Sequence, residues 1–177
     1  VAVDQYTGRQ LWAKGPIAAT DEDEWLDRYQ AAASPGRGSV IVPVVHDDIR
    51  GRTHVSSTAE LASYETHTGK LLWRTRLARL APLKLTQSRY PRKLRIFSSR
   101  PLVSQGVVYH ITNAGVVAAV DEQTGDIRWL TRYPQIEVVL DNFSNPTGQH
   151  NAVIWRNEPP LIRGNKLYVT PVDSPNL

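Results

Sequence analysis

Ala119-Val120-Asp121-Glu122-Gln123-Thr124-Gly125-Asp126-Ile127-Arg128-Trp129 decides the fold, because the chain carries the same eleven-residue pattern three times. The other copies are Ala2-Val3-Asp4-Gln5-Tyr6-Thr7-Gly8-Arg9-Gln10-Leu11-Trp12 and Ser63-Tyr64-Glu65-Thr66-His67-Thr68-Gly69-Lys70-Leu71-Leu72-Trp73. Each reads small–x–acid–x–x–Thr–Gly–x–x–x–Trp, and the starts lie 61 and 56 residues apart. Self-similarity is weighed first, because a missed repeat mis-calls the fold. The segment is a hairpin in outline. A strand leads into the acid, the acid accepts N–H groups across the turn, and glycine supplies a positive φ. A short second strand then carries the tryptophan. One indole side chain covers about 150–250 Å², which at ~25 cal/mol/Å² is an upper estimate of about 4–6 kcal/mol. A lone hairpin cannot hide that surface, so the units are expected to stack side by side.

Upstream of the third copy lies the rest of one unit. Arg100 to Ser104 reads as a short strand, Gly106 begins a turn, and Val107 to Thr112 is a second strand. Asn113-Ala114-Gly115 is a hairpin turn. Val116 to Asp121 is the third strand and Ile127 to Thr131 the fourth. Four antiparallel strands per repeat make a propeller blade. The pattern restarts at Pro159 and runs through Gly164-Asn165 to Lys166–Thr170.

These segments resemble the tryptophan-docking motif of the PQQ-type, quinoprotein-like β-propeller family. The copies at 2–12 and 119–129 match its small residue, acid, Thr-Gly and Trp, whereas the middle copy has Ser63 and Glu65 in place of Ala and Asp. The resemblance implies that Trp12, Trp73 and Trp129 dock between adjacent blades, on turns built from Asp4, Glu65 and Asp121 with Gly8, Gly69 and Gly125. The expected fold is all-β. It is a partial propeller of four-stranded antiparallel blades with long inter-blade insertions and one short helix. Its parts are the end of a blade (1–12), an insertion with the helix (13–37), a blade (38–75), a basic insertion (76–99), a blade (100–131), an insertion (132–158) and the start of another blade (159–177). Two whole blades fall short of the 4–8 that close a ring. The expected partner is therefore the remainder of the propeller, in a longer polypeptide or another chain, and the Val at position 1 is read as a non-native start.

All three inter-blade links are long, and so is the second-to-third-strand link from His46 to Ser57. In a propeller these links emerge on one face and the Thr-Gly turns on the other. Long loops are commonly functional, which makes the link face the candidate interaction surface. In the first insertion, acids at 21–24 after Thr20 suit a helix start, and Trp25, Leu26 and Tyr29 form an apolar stripe at helical spacing. Trp25 and Tyr29 are its candidate partner-binding residues. The second insertion offers Arg89, Tyr90, Arg92, Lys93 and Arg95, and the third offers Trp155, which lies outside the repeat.

Charge is uneven along the chain. Of 21 basic residues, 10 lie between Glu65 and Asp121, where no acid occurs, which leaves 11 basic against 17 acidic elsewhere. A basic middle between acidic flanks fits internal pairing or an acidic protein surface better than nucleic acid. No uncharged stretch is apolar enough to span a bilayer. With no cysteine, a disulfide scaffold, a Cys-ligated metal and a thiol nucleophile are excluded.

Some members of the resembled family bind PQQ with calcium, so a quinoprotein dehydrogenase with its site in other blades is the enzyme alternative. That chemistry needs carboxylate and amide ligands, and no segment matches them. His46, Asp47, Asp48 and His54 fit no standard zinc spacing and are expected in turns or loops. No catalytic residue, metal ligand or cofactor is predicted. The expected role is a non-catalytic protein-interaction scaffold, which by family resemblance sits in the periplasm or at the cell surface.

Overall fold

The computed structural model describes residues 1–14, 24–29, 31–50, 53–80, 98–112, 114–135, 157–171 and 174, with the backbone alone at 24–29, 47–50, 53–55 and 80. All regular structure among them is strand. The fold is a partial β-propeller of antiparallel sheets. A two-stranded sheet comes first, formed by β1 (Ala2–Val3) and β2 (Gln10–Trp12). The second blade contains β3 (Glu24–Tyr29), β4 (Ser34–Pro35), β5 (Ser39–Arg50), β6 (Thr53–Glu65) and β7 (Leu71–Leu80). Its order is β3-β5-β6-β7, with β4 on the same edge of β5 as β3. The third blade is β8 (Leu102–Ser104), β9 (Val107–Thr112), β10 (Val116–Asp121) and β11 (Ile127–Arg132), in order β11-β10-β9-β8. A second two-stranded sheet, β12 (Leu161–Arg163) with β13 (Lys166–Tyr168), follows.

The meander comes from its turn chemistry. Gly8, Gly69 and Gly125 have φ of 69°, 67° and 79°, as the acid–x–x–Thr–Gly turn requires. Between β8 and β9, Gln105 and Gly106 both take positive φ, the two-residue hairpin geometry that matches strand twist. The core sits between the second and third blades. Ile41, Leu61, Trp73 and Leu77 from one sheet meet Val108, Ala118 and Val120 from the other. β10 is buried on both faces for most of its length, the burial of an inner strand in a stack, whereas β11 is exposed throughout.

Two expectations are corrected. The helix expected around Trp25 and Tyr29 is a strand, β3, paired from Glu24↔Ile49 to Tyr29↔Val44. The expected loop from His46 to Ser57 is instead a long hairpin, in which β5 and β6 pair from Ser39↔Glu65 to Arg50↔Thr53. One cause explains both. β5 and β6 run 12 and 13 residues, against 6 each for β9 and β10. The prolonged β5 has a free edge whose N–H and C=O groups need partners. A segment holding Trp, Tyr and Leu suits a strand as readily as a helix, and pairing with that edge outweighs its local helix signals. The last residues of β7, at 76–80, likewise continue the sheet into what was expected to be the basic insertion.

Candidate functional site

The three Thr-Gly turns share one hydrogen-bond plan. Asp4 Oδ1 accepts the N–H of Tyr6 and Thr7 at 3.0 and 2.7 Å. Glu65 accepts from His67 and Thr68 at 2.9 and 2.7 Å, and Asp121 from Gln123 and Thr124 at 2.9 and 3.0 Å. Each Thr hydroxyl in turn accepts the N–H two residues on, at 3.2–3.3 Å. These bonds favour the ionised acid. The backbone N–H of Thr7 leads in holding Asp4 below the usual carboxylate range. The Thr68 hydroxyl leads in pulling Glu65 down to about 2, and the Arg128 guanidinium, 2.7 Å from Asp121, leads in doing the same there. Acids held ionised in this way brace turns and make poor proton donors.

The indoles meet these turns one blade on. Trp12 Nε1 donates to the Thr66 carbonyl at 2.7 Å, and its ring lies so close to Gly69 that an added Cβ would stand 2.7 Å from Cδ2. Trp73, only 8% exposed, donates to the Glu122 carbonyl at 2.9 Å and covers Gly125 in the same way. The Thr75 hydroxyl adds a bond to the Gly125 carbonyl at 2.5 Å. The buried Glu122 carboxylate accepts the Arg37 N–H, tying the turn of the third blade to the start of β5. Trp129 differs, being 41% exposed, with the Tyr109 ring 6.2 Å away.

At the other end of the second blade, the start of β3, the end of β5, the start of β6 and the end of β7 converge. Midway along these strands, Glu60 is buried and takes Arg74 and Arg76 as ion-pair partners, the latter at 3.3 Å. A buried carboxylate needs such partners. Arg76 keeps 82% of its side chain exposed, and Arg79, also exposed, donates to the Ser56 hydroxyl at 3.0 Å. This is a basic outer strand braced from beneath.

Of the expected partner-binding residues, Trp25 and Tyr29 lie on β3, at the edge of this extended sheet. Arg89, Tyr90, Arg92, Lys93, Arg95 and Trp155 lie outside the described residues. His46, Asp47, Asp48 and His54 sit on β5 and β6, in strands and not in the turns or loops expected for them. Among the described residues no three His, Asp or Glu side chains converge to hold a metal ion.

Four residues with a part in this architecture were not singled out by sequence. Glu60 and Glu122 look like ordinary surface acids until register is known. Thr75 had a usable signal, since it stands two positions after Trp73 as Thr131 does after Trp129. His110 is fully buried, with neither ring nitrogen hydrogen-bonded among the described residues, and burial alone pulls its imidazole down to about 3.

Residues 1–168 match the family model described as outer membrane protein assembly factor BamB. No curated protein sequence matches the chain. Among solved structures, BamB from Moraxella catarrhalis is similar at 12% identity and a TM-score of 0.36, over 79% of this chain and 46% of that one. The chain thus spans less than half the length of that structure.

Proposed function

Since the chain belongs to the PQQ-like β-propeller family whose model is described as outer membrane protein assembly factor BamB, we propose that it is a non-catalytic scaffold that binds protein partners through its inter-blade link face. The observation that carries this reading is the inequality of the two blades. The second blade prolongs β5, β6 and β7 past the length of their counterparts and recruits β3 as a further strand. Strands paired in this way present side chains more rigidly than loops do, which lowers the ordering cost of binding. The extended sheet ends at Glu24 and Leu80, which lie at the same end of the blade. Its cationic face, with Arg76 and Arg79 exposed, suits a partner with an acidic surface. Because the family is that of an outer membrane assembly factor, the setting proposed is the periplasm or the cell surface.

Photo-cross-linking from both ends of the blade tests the reading. A cross-linker at Arg76 should trap partner protein in extracts of the source cell, and one at Thr68 on the turn side should trap none. Adducts confined to Thr68 would contradict the proposal. Stoichiometric quinone absorbance with dye-linked alcohol oxidation would replace it with an enzyme.

A further inference from the structure

His110 lies where the second and third blades meet. On β9 it stands two residues from Val108 and opposite Ala118 of β10, and cross-strand partners share a face. Val108, Ala118 and Val120 pack on Ile41, Leu61, Trp73 and Leu77 of the second blade, so His110 belongs to the face that meets that blade. In the opposing sheet, Ser63 is paired with Ile41 and with Trp73 and shares their face. Both residues are fully buried. Among the described residues, neither imidazole nitrogen nor the Ser63 hydroxyl has a hydrogen-bond partner.

The charged and titratable groups around this junction are engaged elsewhere. The Glu122 carboxylate accepts the Arg37 N–H, and Glu65 accepts from His67 and Thr68 of its own turn. Glu60, in register with Val44, takes the opposite face of β6 from Leu61. Asp47 lies six residues along β5 from Ile41. Arg100 is exposed and donates to the Ser34 hydroxyl, and the Tyr133 phenol meets β9 at the Thr112 carbonyl. No acid among the described residues is therefore placed to pair with an imidazolium in the closed junction.

We propose that protonation of His110 parts the second blade from the third while the strands within each blade stay paired. Within the blades, continuous ladders join β5 to β6 and β9 to β10. Between them the bonds are few and fall at the rims: Trp73 to the Glu122 carbonyl, Thr75 to the Gly125 carbonyl, Arg37 to the Glu122 carboxylate, and Ser34 to the Pro101 carbonyl. The junction is the boundary along which a cooperative unit separates at least cost. Parting it brings water to the imidazole and uncovers Leu61, Trp73 and Val108, an apolar surface that the closed form hides. Burial holds His110 down to about 3 in the closed form, and hydration returns it to its ordinary 6.5. The open form thus binds one more proton between those values. Opening is favoured about tenfold per pH unit as the pH falls, and nearly a hundredfold from about pH 6 to 4.

Thiol labelling with 4,4′-dithiodipyridine, which reacts in acid as well as at neutral pH, tests this. The chain has no cysteine, so an introduced thiol reports alone. Val108→Cys places it in the junction, and Ala118→Cys on the same face serves if that variant does not fold. Val44→Cys, buried on the opposite face of β5 from Ile41, is the control. Each rate is divided by that of an unstructured peptide carrying the same cysteine at the same pH. The junction thiol should gain access nearly a hundredfold between about pH 6 and 4, the control thiol should change little, and His110→Leu should abolish the gain. No gain, or an equal gain at the control thiol, overturns the proposal. A gain that survives in His110→Leu also overturns it, by assigning the opening to an acid such as Glu122.

Discussion

Trp73→Ala strikes the junction that holds the second and third blades together. The side chain is 8% exposed and belongs to the inter-blade core with Ile41, Leu61 and Val108. Truncating a buried Trp costs about 3–5 kcal/mol in lost transfer energy and cavity. The Glu122 carbonyl also loses the indole N–H it accepts at 2.9 Å, a further cost of about 1–3 kcal/mol if water cannot reach it. The two contributions overlap, because the cavity admits some water, so the expected total is about 4–6 kcal/mol. With an m-value of about 2–3 kcal/mol/M, the urea midpoint should fall by about 2 M. Trp73→Phe keeps much of the contact and loses the donor, so it should cost about half as much. Trp129→Ala should cost under about 1 kcal/mol, as expected for a side chain already half in solvent. Equal losses at Trp73 and Trp129, or a loss below 1 kcal/mol at Trp73, would refute the view that burial against the next turn is what makes the indole stabilising.

Two other perturbations separate effects that ordinarily overlap. His110 stays neutral in the folded chain down to about pH 3, whereas an unfolded His takes up a proton near 6.5. The unfolded state thus binds more protons in that window, and stability falls as the pH drops from about 6.5 toward 3, by at most about 1.4 kcal/mol per pH unit. His110→Leu should flatten urea midpoints between pH 6 and 4, raise stability at neutral pH by relieving two unpaired buried nitrogens, and leave the steeper loss below pH 4. That later loss belongs to acids such as Glu65 and Asp121, whose folded values are about 2. A slope between pH 6 and 4 that survives in His110→Leu would contradict this assignment. Gly125→Ala combines a strained φ of 79° with a Cβ 2.7 Å from the Trp73 ring, whereas Gly8→Ala brings only the strain of φ 69°. The Gly125 variant should be the less stable in thermal melts by more than about 1 kcal/mol, and parity between them would mean that the indole yields freely.

The repeat was legible because its physics is local. Acid, Thr, Gly and Trp at fixed spacing encode a turn and the surface that must be covered beside it, and the observed contacts of Trp12 with Gly69 and Trp73 with Gly125 follow that spacing. The strand order of the third blade was equally readable, since Val107–Thr112 and Val116–Asp121 are bounded by turn formers. What sequence could not show depends on register. Trp25, Leu26 and Tyr29 satisfy helical spacing, yet β5 is long enough to claim the segment as a strand. His46–Ser57 reads as a link because its polar residues hide the pairing that continues from the apolar Val40–Val45. Glu60 becomes a buried clamp only once β6 pairs with β7 and places it opposite Arg76. The exposure of Trp129 was invisible as well, because the motif specifies what the indole needs and not how far it is covered.

Hydrogen exchange at the indole N–H groups of Trp12, Trp73 and Trp129, followed by NMR, tests the stacked-blade account most directly. Trp73 should exchange only through openings close to global unfolding, Trp12 more readily, and Trp129 near the rate of free indole, because among the described residues only the first two donate to the turn of the next blade. Rapid exchange at Trp73, or protection at Trp129 equal to it, would mean that the blades are not held together by these indoles.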